Sequence, residues 1–73
     1  MMPFKNKVLE KMIRRKRWDI HETSRQLGIV GVVFSPSQLR KILLGDRLQP
    51  RGDVLAGLCR VFGVGVEEFY ELA

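Results

Sequence analysis

The chain has 73 residues, 45% of them hydrophobic and 29% charged, the balance of one small folded domain rather than of a disordered segment. Its longest apolar run, Leu27 to Phe34, has eight residues, where a bilayer span needs about 20. Thirteen Lys and Arg against eight Asp and Glu leave a formal charge of +5, which equally fits attraction to nucleic acid or anionic lipid and a solvated surface that keeps a small protein soluble.

The single Cys59 excludes an intrachain disulfide, and the single His21 leaves too few soft ligands for zinc. No apolar signal core follows Met1-Met2-Pro3-Phe4-Lys5, so the expected location is the reducing cytoplasm. The charge is also unevenly spread. Residues 1–51 carry twelve basic and four acidic side chains, and residues 52–73 carry one basic and four acidic. The first part seeks anions and the second does not.

Residues 1–3 are expected to be loose. Residues 4–17 place Phe4, Val8, Leu9, Met12 and Ile13 at the spacing of one helical face, with Lys and Arg opposite. The spacing predicts a first helix, and the cluster Arg14, Arg15, Lys16, Arg17 suits its negative C-terminal end. Asp19 and Glu22 have capping-box spacing, with Trp18 apolar just ahead. They predict a second helix over 20–27, with Gly28 as its stop. Ile29 to Phe34 is rich in β-branched residues and suits an extended conformation, but is too short and isolated to build a sheet. It reads as a buried or partner-facing connection, or as a plain loop partly covered by the core.

Ser35-Pro36 predicts the start of a third helix, running to about Leu44. Leu39, Ile42 and Leu43 point inward, Ser37, Gln38, Arg40 and Lys41 outward, and Gly45 ends it. A polar loop from Asp46 to Pro50 follows. Asp53 is expected to cap a fourth helix over 54–62, with Val54, Leu55, Leu58, Cys59 and Phe62 on or near one face and Gly63 as its stop. Val66 to Leu72 read as a last helix, with Glu67 and Glu68 favoured in its first turn. Five short helices make an all-α globule, one domain over 1–73, with an extended connection between the second and third.

No nucleophile stands at a recognisable spacing from His21, and no phosphate-binding glycine loop or carboxylate-pair motif occurs. The expectation is a protein that is not an enzyme and uses no metal or cofactor. The middle of the chain is more informative. A short helix, a connection and a second short helix with a polar outer face are the parts of a helix-turn-helix. Ser37 and Gln38 can donate and accept at base edges, and Lys41, one turn on, can donate to guanine. Arg40 and Arg47 can reach phosphates or bases, while Arg14, Arg15, Arg17 and Arg51 can clamp backbone on the flanks. Taken one at a time, Gln38, Arg40 and Lys41 are better explained as a solvated helix face.

The stretch Gly45-Asp-Arg-Leu-Gln-Pro50 followed by Asp53-Val-Leu-Ala-Gly-Leu-Cys-Arg-Val-Phe-Gly-Val-Gly-Val-Glu-Glu-Phe-Tyr70 resembles the lambda-repressor-like helix-turn-helix family, also called the Xre or Cro-repressor family. That family shows a glycine after its recognition helix, a basic polar loop closing on proline, and a fourth helix leading to Leu-Gly-Val-Ser-x-Glu-Glu-Leu. Leu27-Gly28 and the small Ser24 fit its second helix, and the resemblance covers residues 4–72. It implies a five-helix DNA-binding domain with the third helix in the major groove. By position it places base reading at Pro36 and Ser37, with Gln38 beside them, and at Lys41, with a loop contact at Arg47. It places backbone contacts at Arg17 and at Ile20 or His21. Three departures stand out: the connection from Gly28 to Ser35 is longer than the family's by VGVVF in effect, Thr23 replaces a large apolar residue, and Pro36 replaces a frequent base-contacting side chain.

The leading expectation is a sequence-specific double-stranded DNA-binding transcriptional regulator, a small repressor acting as a homodimer. Phe69, Tyr70 and Leu72, or Val32, Val33 and Phe34, are candidates for the dimer interface, and plain packing explains each equally well. The alternative is an antitoxin-like or accessory protein-interaction module, in which the VGVVF loop docks a protein partner. Membrane-surface binding by residues 4–17 is weaker, because so small a core needs their apolar face.

Overall fold

The computed structural model describes residues 4–45 and 50–70. These residues form helices α1 (Asn6–Arg15), α2 (Ile20–Ile29), α3 (Pro36–Leu43) and α4 (Gly52–Phe62), followed by a 3-10 turn at Val66–Glu68. The described residues contain no strand. Of the elements read from the sequence, the loop residues Asp46 to Gln49 lie outside the described residues, as do residues 1–3 and 71–73.

The helices end where a residue takes a left-handed backbone: Arg17 after α1, Gly31 after α2, Gly45 after α3 and Gly63 after α4, with φ of 60°, 86°, 80° and 66°. Each such turn lets N–H groups beyond the helix satisfy its last carbonyls. After α2, Val32 N–H donates to the Leu27 carbonyl at 2.9 Å and Gly31 N–H to Gly28 at 3.0 Å. After α1, Trp18 N–H donates to Ile13 at 3.2 Å and Arg17 N–H to Arg14 at 2.9 Å. The expected stop at Gly28 is therefore corrected. Its backbone is helical, and α2 runs on until Gly31 supplies the positive φ.

Two other boundaries shift. α4 begins at Gly52 with Arg51 at the cap position. Asp53 lies inside the first turn, where its carboxylate accepts from Val54 N–H at 2.9 Å. The last helix, expected over Val66 to Leu72, is a three-residue 3-10 turn in its described part. There Phe69 is buried and its carbonyl accepts from Lys5 N–H at 2.8 Å. That bond and the ring's burial fix the segment against the start of α1 instead of extending a helix.

Phe4, Leu9, Ile13, Leu27, Phe34, Leu39, Ile42, Val54, Leu58 and Phe69 form one core. α2 packs on both α3 and α4, and α1 packs on α3. The Phe4 ring stacks on Phe69 with centroids 5.3 Å apart, and Tyr70 meets it edge-on. Thr23 is the buried polar residue of this core, and its hydroxyl donates to the Asp19 carbonyl at 2.9 Å, so its burial leaves no unmade bond. Among the described residues, no helix is long and apolar enough to cross a membrane. The apolar face of α1 is occupied: Leu9 and Ile13 are buried, and Val8 and Met12 pack against them.

Candidate nucleic-acid interface

α3 is fixed at both ends. Ser35 Oγ accepts from Gln38 N–H at 3.2 Å, and Gln38 Oε1 accepts from Ser35 N–H at 2.9 Å. This reciprocal pair is a capping box, with Pro36 in the first turn. At the far end, Asn6 of α1 donates from Nδ2 to the Leu43 carbonyl at 3.1 Å. Between these anchors Leu39 and Ile42 are fully buried. With 3.6 residues per turn, burial of 39 and 42 turns 37, 40, 41 and 44 to the opposite side. Ser37, Arg40, Lys41 and Leu44 are all exposed.

Two features of this edge differ from the sequence reading. Gln38 is half-buried, and its carbonyl oxygen serves the capping box, so only its amide N–H groups remain to face a ligand. The Ser-x-x-Gln spacing that signals the box was legible. Leu44 is 69% exposed at the end of an otherwise polar stripe. The helical period from Ser37 would have found it.

The flanking cations fall into two groups. Arg14 pairs with Glu10 at 2.8 Å, and Arg51 lies 3.5 Å from Asp53. Both pairs are solvent-exposed and weak. No ion pair among the described residues engages Arg15, Arg17, Arg40 or Lys41. Lys16 sits 5.8 Å from the centre of the Trp18 ring. Arg47 lies outside the described residues.

Arg17, Trp18, Asp19, His21, Glu22, Arg25 and Gln26 line an open concavity where α1 turns into α2. Asp19 accepts from Glu22 N–H at 2.8 Å, the first half of the expected capping box. The Glu22 carboxylate does not return to Asp19. It takes Arg25 at 2.7 Å and Gln26 at 2.9 Å, and the hydrogen bond from Arg25, then that from Gln26, lowers its pKa. Arg25 is thereby matched with an acid, which leaves Arg17 as the cation of this hollow with no acidic partner among the described residues.

The dimer candidates separate by burial. Phe34 and Phe69 are spent on the core, which corrects their assignment to an interface, and Val32 and Tyr70 pack against the core. Val33 is 92% exposed, and Leu72 lies outside the described residues. Burial, and then the Glu67 charge, push the Cys59 thiol pKa up, as expected of a packing cysteine rather than a reactive one. No cluster of metal-ligating side chains occurs among the described residues.

No family model matches this chain, and no curated protein or solved structure matches it at a significant level.

Proposed function

We propose that the chain is a sequence-specific double-stranded DNA-binding regulator that reads the major groove with α3, in the manner of the lambda-repressor-like proteins its sequence resembles. One observation carries the reading. α3 buries Leu39 and Ile42 and turns Ser37, Arg40 and Lys41 to solvent along one edge, so the polar edge is not consumed by the protein's own body. Ser37 can donate and accept at base edges, Lys41 can donate to guanine, and Leu44 offers an apolar contact of the kind a thymine methyl accepts. Arg15, Arg17 and Arg40 supply charge for phosphates, whose contacts set position rather than sequence.

Selection of bound duplexes from a random pool tests the reading. A reproducible motif is expected. On that motif, affinity falls with salt at a log–log slope of about −0.9 per phosphate contact. Recovery of no motif, with binding equal on all duplexes, would reject sequence-specific reading. The second reading, a protein-interaction module, is favoured by the exposure of Val33 and Ile29.

A further inference from the structure

Away from α3, the last turn of α1 and the turn that follows α4 frame a small pocket. Met12, Phe62 and Val64 form its apolar walls, Arg15 and Lys16 stand at its rim, and its volume is about 120 Å³. The backbone sets these walls. The left-handed turn at Gly63 brings the Val64 N–H onto the Cys59 carbonyl at 3.0 Å, which fixes where Val64 stands. Trp18 backs Phe62, with ring centroids 5.6 Å apart. Met12, Phe62 and Val64 all pack against the core and still keep part of their surface open.

The rim says what can fill this pocket. No Asp or Glu lines it, and no ion pair among the described residues engages Arg15 or Lys16. The negative end of α1 does not absorb their charge. The Met12, Ile13 and Arg14 carbonyls already accept from the N–H groups of Lys16, Trp18 and Arg17. Two cations over an apolar floor select a ligand that joins a negative charge to a small apolar body. A phosphate of DNA brings the charge but leaves the walls bare. A cavity of about 150 Å³ takes a benzene ring, so the space here seats most of one ring and leaves its substituent at the rim. The Phe62 ring and the Met12 thioether both favour an aromatic body over an alkyl chain.

We propose that this pocket binds a free small aromatic carboxylate. Its ring sits among Met12, Phe62 and Val64, and its carboxylate meets the Arg15 guanidinium through paired N–H donors, with the Lys16 ammonium beside it. The site uses no residue of α3 and does not depend on the reading above.

The test is an amide NMR titration of the full chain, without DNA, with sodium benzoate at fixed ionic strength. Saturable shifts are expected at Met12 to Lys16 and Phe62 to Val64, with a Kd of about 1 mM or tighter, ordinary for a ligand of this size. Benzamide keeps the ring and loses the charge, and acetate does the reverse. Each is expected to bind at least about fivefold more weakly. Arg15→Gln is expected to weaken benzoate by about tenfold. Lys7→Gln, the same change of charge at an exposed position near the start of α1, is expected to leave it unchanged. Val64→Phe puts a ring into the pocket and is expected to abolish binding. Circular dichroism checks that each variant is folded, and the Arg15 and Lys7 variants decide the matter if Val64→Phe is not. No saturable shift by about 20 mM, equal binding of benzamide or acetate, or equal loss in Lys7→Gln and Arg15→Gln would overturn the proposal. So would parental affinity in a folded Val64→Phe variant. Duplex binding is measured separately, so either proposal can fail alone.

Discussion

Val32 occupies the space that a side chain on Gly57 would need. A Cβ placed on Gly57 would lie 2.7 Å from Val32 Cγ2 and 3.1 Å from Leu27 Cδ2. The glycine in the middle of α4 and the valine of the α2–α3 connection are therefore one packing decision, which lets a loop lie on a helix backbone. Glycine in a helix interior ordinarily costs about 1 kcal/mol relative to alanine. Here that cost is accepted for close approach.

The sign of Gly57→Ala follows. Propensity alone favours the alanine, but the collision is with the Cγ2 methyl of a valine whose backbone is pinned on both sides. Gly57→Ala should destabilise the fold by about 1–3 kcal/mol, the usual penalty for overpacking. Thermal unfolding measures it. Adding Val32→Ala should recover part of that loss, and additive effects in the double-mutant cycle would exclude the contact.

Arg17 is the non-glycine residue that adopts positive φ among the described residues. An L-residue in that conformation costs roughly 1–2 kcal/mol, and α2, α3 and α4 give the equivalent position to glycine. Arg17→Gly should therefore stabilise the fold by about 1 kcal/mol, a rise of about 4–8 °C in Tm for a domain of this size. Under the DNA-binding proposal it should also weaken all duplexes alike. A variant that is more stable and binds DNA unchanged would show that the arginine serves no ligand.

Much of the fold was legible because its signals are local. Ser35-Pro36 opens α3, Gly45 and Gly63 close α3 and α4, and the spacing of Leu9, Ile13, Leu39 and Ile42 marks the core. The end of α2 was not legible, since Gly28 and Gly31 carry the same stop signal. Which one takes positive φ depends on Val32 reaching Gly57, twenty-five residues away in the helix that follows α3. The turn at Arg17 carries no sequence mark at all. At the candidate interface, the outward placement of Ser37, Arg40 and Lys41 could be read from helical period. The burial of Phe34 and Phe69 could not, because it depends on tertiary contacts.

Gln38 has two duties to separate. Gln38→Glu keeps an oxygen for Ser35 N–H and adds a charge favoured in the first turn, so stability should hold or rise. On DNA the same carboxylate meets phosphate repulsion, and affinity for the selected site should fall about tenfold or more. Thermal unfolding and duplex titration on one sample measure both effects. Equal affinity with unchanged stability would limit Gln38 to capping.

Lys41 is exposed and lies one turn from Ser37 on the outward edge of α3. Lys41→Ala should cost about 1–3 kcal/mol on the best duplex and relax preference at one position. Repeating the duplex selection with the variant checks this. An unchanged motif would move the base-reading role elsewhere.

The bond from Lys5 N–H to the Phe69 carbonyl, with Phe4 stacked on Phe69, makes the beginning and the end of the described chain a single clasp. Neither can fray without unfastening the other. Hydrogen exchange at the Lys5 amide should therefore report on the far terminus, and slow exchange there would mean that both ends open only together.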